Sequence, residues 1–195
     1  MLMRRHLIAI LVLVAVAAAA GAVYVIHARP VHAGNSIPAS LAKLVPDAVP
    51  KTIPAVAFTD ARGERLSLAS FHSHYVLLNL WATWCAPCVR ELPALAHLQS
   101  ALPGLTIVAV SEGQESAPDT MAFLKAHGAG SLQVYRDSDH AFLAAMGAFG
   151  LPLSAVIDPS GRERARVIGP AGWDDPQAIA WLRVFVAPPD GHPAS

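Results

Sequence analysis

The sequence is poor in cysteine and in charge. Only two of its 195 residues are Cys, and they stand at 85 and 88. A bridge between them closes a very small loop, and stabilisation by loop closure grows with loop length, so structural stapling is a poor reason for this pair and reactivity a better one. Charged residues make up 14% of the chain, with 14 Lys and Arg against 14 Asp and Glu. That balance gives no basic surface for nucleic acid. The nine His are scattered, and none has the paired spacing after the cysteines that a Cys2His2 zinc site needs. Asp137 and Asp139 are spaced like a fragment of a calcium loop, but the required glycine and closing Glu are missing, so they are read as helix caps.

What is abundant is apolar. Hydrophobic residues are 54% of the chain, ample for one domain plus appendages. Residues 1–6 carry Arg4 and Arg5, and 7–26 then run without a charge. About twenty apolar residues suit a membrane-spanning helix. The two arginines place the short N-terminal side in the cytoplasm and the rest of the chain outside the inner membrane, in the periplasm. A cleaved signal peptide is the alternative, with Val31-His32-Ala33 as the small-residue site, although the run exceeds the usual apolar core of such peptides. Either way the domain is exported, where disulfide chemistry persists. Residues 27–54 hold Pro30, Pro38, Pro46, Pro50 and Pro54 and read as a linker with a short helix at 40–45. Residues 55–187 are the expected domain and 188–195 a loose tail.

Both cysteines lie in Asn79-Leu80-Trp81-Ala82-Thr83-Trp84-Cys85-Ala86-Pro87-Cys88. The apolar run from Tyr75 to Ala82 reads as a buried strand, and Leu92, Leu95 and Leu98 then mark one face of a helix. The pair therefore sits at a strand-to-helix junction with Cys85 at the helix start. Free backbone N–H groups and the positive end of the helix dipole stabilise a thiolate there, lowering its pKa from about 8.5 toward roughly 3.5–7.5. Cys85 is the expected attacking thiol. Cys88 lies beneath it on the same face as the resolving thiol, and Pro87 fits the first turn. Glu91 continues the three-residue spacing, so a carboxylate stands under Cys88, able to take its proton, with partial burial raising its pKa. Trp84 is expected at the surface beside Cys85, and Trp81 in packing beneath the pair.

Further along, 55–59 and 64–68 read as short strands about the turn Asp60-Ala61-Arg62-Gly63. A helix at 87–101 contains Pro93, which removes the bond to the carbonyl of Val89. A strand follows at 105–111, a helix at 118–127, a short strand at 132–135 and a helix at 139–146. Residues 153–157 and 164–168 flank Asp158-Pro159-Ser160-Gly161 as an antiparallel hairpin, and a helix at 176–186 closes the domain. Strands separated by helices pair in parallel, so the expected architecture is α/β, a mixed central sheet with helices on both faces and an N-terminal β-hairpin extension.

This order of elements, with the stretch LNLWATWCAPCVRELPAL at 78–95, resembles the membrane-anchored TlpA/ResA-like thioredoxins of bacteria. Gly169-Pro170 and Trp173 resemble the TlpA branch. The resemblance implies the thioredoxin fold, with Cys85 the exposed nucleophile and Cys88 its buried partner. It implies that Glu91 serves as proton acceptor, where thioredoxin itself has a buried Asp at the position of Asn79. Pro152 matches the family's cis-proline, with Leu151 offering backbone groups to a substrate strand; Trp84, Ala86 and Pro87 complete the implied substrate surface. No cofactor is implied beyond the redox-active Cys85–Cys88 disulfide, and no metal.

The implied activity is thiol–disulfide exchange. The expected direction is reduction of a disulfide in an exported client, in cytochrome c or cytochrome oxidase and copper-centre assembly, with re-reduction by a membrane electron donor. Three rivals stand beside it: a dithiol oxidant of the same fold, a non-enzymatic Cu(I)-binding module, and a peroxidase. The last expects a Thr where Ala82 stands.

Overall fold

The computed structural model of the chain describes residues 36–187. The apolar segment 7–26 and the tail 188–195 lie outside them. Among the described residues no helix is long and apolar enough to cross a membrane.

In chain order the elements are β1 (Val45–Thr52), β2 (Ala57–Asp60), β3 (Arg65–Ser67), β4 (Tyr75–Trp81), α1 (Ala86–Ala101), β5 (Leu105–Ser111), α2 (Ala117–Ala126), β6 (Tyr135–Arg136), α3 (Ala141–Ala145), β7 (Leu153–Ile157), β8 (Arg162–Ile168) and α4 (Pro176–Phe185). The strands form one sheet in the order β1-β8-β7-β4-β5-β6-β2-β3. β5 pairs in parallel with β4 and with β6, and the remaining pairs are antiparallel.

β4 is the inner strand because both of its faces are apolar. Leu77 and Trp81 face a core built with Leu92, Leu95 and Leu98 of α1, Leu124 of α2, and Ile179 and Leu182 of α4. Val76, Leu78 and Leu80 face the opposite core, with Phe58, Phe142 and Met146. A strand covered on both sides reads as a continuous hydrophobic run rather than an alternating one, which is how 75–82 reads. On the second face Phe58 packs against Phe71, Tyr135 and Phe142, with ring centroids 5.5 to 6.4 Å apart. The expected N-terminal hairpin is β2–β3, and its turn is held by Asp60 Oδ1, which accepts from Arg62 N at 2.8 Å and Glu64 N at 2.9 Å.

The expected linker at 27–54 needs correction from residue 37 onward. A 3-10 turn at Ala39–Leu41 puts Leu41 into the core, and Leu44 follows it there. β1 then pairs antiparallel with β8 at the sheet edge, with an irregular register between Pro46 and Lys51. Prolines conceal such a strand in sequence. An edge strand tolerates them because half of its N–H groups face solvent, and they block further pairing. The strand expected at 55–59 is Ala57–Asp60 and that at 164–168 begins at Arg162, and two further bounds move for a clear reason. The strand expected at 132–135 is only Tyr135–Arg136, because Leu132 and Val134 are buried without joining the ladder. The helix expected from Asp139 begins at Ala141, since His140 has a left-handed backbone (φ 54°). Asp137 still serves that helix, accepting from Phe142 N at 2.6 Å.

Candidate active site

The end of β4 delivers the chain to the start of α1. Cys85 is the residue that caps the helix: its backbone is extended and its Sγ accepts from Cys88 N at 3.4 Å. Cys85 and Cys88 form a disulfide with their Cα atoms 5.3 Å apart. Sulfur at a helix N-terminus with a backbone N–H aimed at it is the arrangement that favours a thiolate after reduction. In the disulfide, Cys85 is 6% exposed and Cys88 1%. The order of access is that implied by the resemblance, but Cys85 is buried rather than the exposed nucleophile expected, its sulfur turned to the start of α1. Trp84 beside it is 69% exposed, while Trp81 is buried and stacked on Phe123.

α1 runs without a break across Pro93 and carries Glu91 one turn below Cys88. Glu91 is 4% exposed. Its Oε1 accepts from the Ala171 amide at 3.0 Å and from the Trp173 indole N–H. The side chain of Asn79 on β4 adds a further pull toward the charged form of the carboxyl. Burial pushes the Glu91 pKa up to about 7, against the lowering pull of these hydrogen bonds. The carboxyl is thus held near the point where it exchanges a proton at neutral pH.

The Leu151–Pro152 peptide bond is cis. Pro152 is joined to the loop after β8 by a bond from Gly169 N to its carbonyl at 2.8 Å. Leu151 is half-buried and packs against the core that contains both cysteines, while Phe149 just before it is fully exposed. Gly169 to Trp173 therefore links the cis-proline to Glu91 in five residues. Gly169-Pro170 and Trp173 are visible in the sequence as branch-specific marks, but their contact with Glu91 has no local sequence signal. The same is true of Ser154, which faces Asn79 across the β4–β7 pair.

A second buried acid was also missed. Glu112 follows β5, is fully buried, and neither of its oxygens has a hydrogen-bond partner among the described residues. His140 Nδ1 lies 3.5 Å from its Oε2. Burial, with the nearby Asp137 carboxylate, pushes its pKa up to about 8. Among the described residues no group of three or more His, Cys, Asp or Glu is placed to hold a metal ion.

A Cys-x-x-Cys disulfide at the head of a helix, a cis-proline, and a mixed sheet covered on both faces define a thioredoxin-fold thiol–disulfide oxidoreductase. The chain belongs to the Redoxin family, whose profile matches residues 48–180. Within it the relatives are of the ResA/TlpA-like kind. The chain is 35% identical over 113 residues to the thiol-disulfide oxidoreductase ResA of Bacillus subtilis, covering 56% of this chain and 61% of that one. It is 30% identical over 124 residues to the protein of the same name from Geobacillus thermodenitrificans, covering 63% and 70%. The solution structure of a thiol:disulfide interchange protein from Bacteroides sp. superposes with a TM-score of 0.61 at 25% identity, covering 73% of this chain and 92% of that one. The chain thus spans under two thirds of the length of its Bacillus subtilis relative.

Proposed function

We propose that the protein is a membrane-tethered extracytoplasmic reductant that uses Cys85 and Cys88 to reduce a disulfide in an exported client. The observation that carries this reading is the carboxyl of Glu91, buried one turn beneath Cys88 and held near neutrality. A dithiol that reduces must deprotonate its second thiol while the first is tied up, and a buried base on the same helix face meets that need.

The Cys85 thiolate attacks one sulfur of the client disulfide. An S–S bond forms between Cys85 and the client, and the client's other sulfur leaves as a thiolate and takes a proton from solvent. The Cys88 thiol gives its proton to Glu91 and attacks Cys85 Sγ. The client's second thiolate leaves, and the Cys85–Cys88 disulfide remains. The client has gained two electrons and the protein has lost them. A membrane electron donor returns two electrons, and Glu91 and solvent supply the protons. Leu151, beside Pro152, offers its backbone to an extended client segment, flanked by Trp84, Ala86 and Pro87.

The tether is the apolar segment 7–26, with the domain in the periplasm. The family resemblance supports an exported client and points to cytochrome c or cytochrome oxidase and copper-centre assembly. A Cys88→Ala variant tests the reading. It should accumulate a mixed disulfide through Cys85 that mass spectrometry identifies as an exported protein with a disulfide. Absence of any adduct at Cys85, together with tight Cu(I) binding by the wild-type dithiol, would overturn it.

A further inference from the structure

Among the Phe, Tyr and Trp of the described residues, Trp84 and Phe149 are the two that are exposed, and both stand at the redox end of the sheet. β4 and β7 pair antiparallel, with Leu80 opposite Leu153. Four residues on from Leu80 is Trp84, next to Cys85. Four residues back from Leu153 is Phe149, in the loop that leads to the cis Leu151–Pro152 bond. The two chains leave the ladder at the same end, each carrying its aromatic at the same remove. Trp84 keeps part of its ring covered. Phe149 buries nothing, so its ring adds no hydrophobic stabilisation to the fold.

The loop under Phe149 is nevertheless braced. Ala148 N donates to the Leu143 carbonyl at 3.0 Å, and Arg166 Nη1 donates to the Met146 carbonyl at 2.7 Å. At the other end Gly169 N donates to the Pro152 carbonyl at 2.8 Å. Leu151 packs on both cores, one of which contains Cys85 and Cys88. Between these anchors Phe149, Gly150 and Leu151 make no backbone hydrogen bond among the described residues. A fixed strip of unpaired backbone that ends at the disulfide is a place for a further strand. Segments 82–87, 147–152 and 169–172 around it contain no charged residue. The carboxyls bonded to them are Glu91, buried beneath, and Glu115, which accepts from the Thr83 hydroxyl.

We propose that Phe149 is a specificity-determining residue, one that selects extended client segments with a large apolar side chain, aromatic above all, two residues from the reacting cysteine. Strands pair residue for residue. A client strand laid on 149–151 with its cysteine at Leu151 therefore sets the residue two places along opposite Phe149, with Cβ atoms about 4.5–5.5 Å apart. A ring on a braced loop is already in place, so little ordering cost opposes its use. The neutral rim leaves recognition to apolar contact. This selection rests on Cys85 and Cys88 acting as a reductant of clients, and the covalent steps are the ones given above.

The full-length chain, reduced and in mild detergent, is mixed with symmetric disulfide dimers of a short neutral peptide. The single cysteine of the peptide has Phe, Leu, Ser or Lys two places before it or two places after it. Single-turnover rates against peptide concentration give the limiting rate and the half-saturating concentration. Wild type should favour Phe over Ser about tenfold in one of the two placements. The gain should lie in half-saturation and not in the limiting rate, since the ring contact is made before and during reaction alike. Lys should do no better than Ser, and added salt should leave the Phe-to-Ser ratio unchanged. In Phe149→Ser the ratio should fall below about twofold, and in Phe149→Trp it should return. Both variants should melt with wild type, because the side chain at 149 covers nothing. Equal rates for Phe and Ser peptides in wild type, or a preference that survives in Phe149→Ser, would overturn the role of Phe149 and leave the reductant standing. If wild type reduces none of the peptides and Cys88→Ala forms no adduct with them at Cys85, the reductant itself is overturned and the selection with it.

Discussion

Gly172 donates its amide proton to the carbonyl of Ser40 at 2.9 Å, and a Cβ at Gly172 would stand only 3.0 Å from that of Ser40. The turn before β1 is thereby pressed against the loop that carries Ala171 and Trp173 to Glu91. Gly172→Ala should cost about 1–3 kcal/mol, the usual effect of forcing a methyl into a packed contact. It should also shift the Glu91 titration, because the two donors to its Oε1 move. Denaturant melts and carboxyl-carbon NMR on the same variant check both parts.

Leu41 anchors that turn in the core. Leu41→Ala should destabilise by about 2–5 kcal/mol, the range for a truncated core leucine. A free linker residue would give almost nothing, so urea denaturation decides whether 37–44 belongs to the folded unit.

Trp173→Phe keeps most of the buried ring and deletes the indole donor to Glu91 Oε1. A donor to a carboxylate favours its charged form, so losing one raises the Glu91 pKa above about 7. Less of the base is then ionised at neutral pH. The resolving step should slow several-fold at pH 7 and recover toward pH 9, while the first attack by Cys85 is little changed. Single-turnover kinetics at several pH values measure the two steps separately.

Glu112 makes a prediction about stability. Its folded pKa, about 8, lies above the ordinary value of 4.5. Between those values the unfolded chain ionises while the folded one keeps its proton, so fewer protons are bound on unfolding and stability falls as pH rises. The contribution is complete below about pH 4.5 and fully lost above about pH 8. Glu91 acts in the same direction up to about pH 7. Glu112→Gln should melt near wild type at pH 4 and above it at pH 8, by a margin on the order of 3 kcal/mol. Thermal melts across this range give the answer, and a variant less stable than wild type at pH 8 would contradict it.

Trp84 is mostly solvent-exposed beside the disulfide. Trp84→Ala should leave the melting temperature within about a degree, as surface substitutions usually change stability by no more than 0.5 kcal/mol. Its effect should fall on the rate of exchange with a protein client. Comparison with a small disulfide such as glutathione isolates the loss of client contact.

The legible parts of this protein are the local ones. Tyr75–Trp81 declares itself by a run that is apolar on both faces, and α1 by the spacing of its leucines. The Cys85–Cys88–Glu91 series needs only helix geometry to be placed on one face. The hairpin around Asp158 to Gly161 needs only turn chemistry. β1 escaped because its prolines carry the signature of a linker, and only pairing with β8 shows that an edge strand can hold them. Glu112 escaped because no pattern in the chain marks a carboxylate as buried.

The cysteine pair itself was determined by sequence alone: two cysteines, their spacing, and a strand running into a helix suffice to assign redox chemistry, because helix dipole and thiol spacing are properties of neighbouring residues. What surrounds the pair was decided only by the tertiary structure. Asn79 meets Ser154 across 75 residues, and Trp173 meets Glu91 across 82. Those contacts depend on sheet register and loop path, and they set how far Glu91 is desolvated and which donors it keeps. The candidate base is therefore written locally, while its proton affinity is a property of the assembled fold.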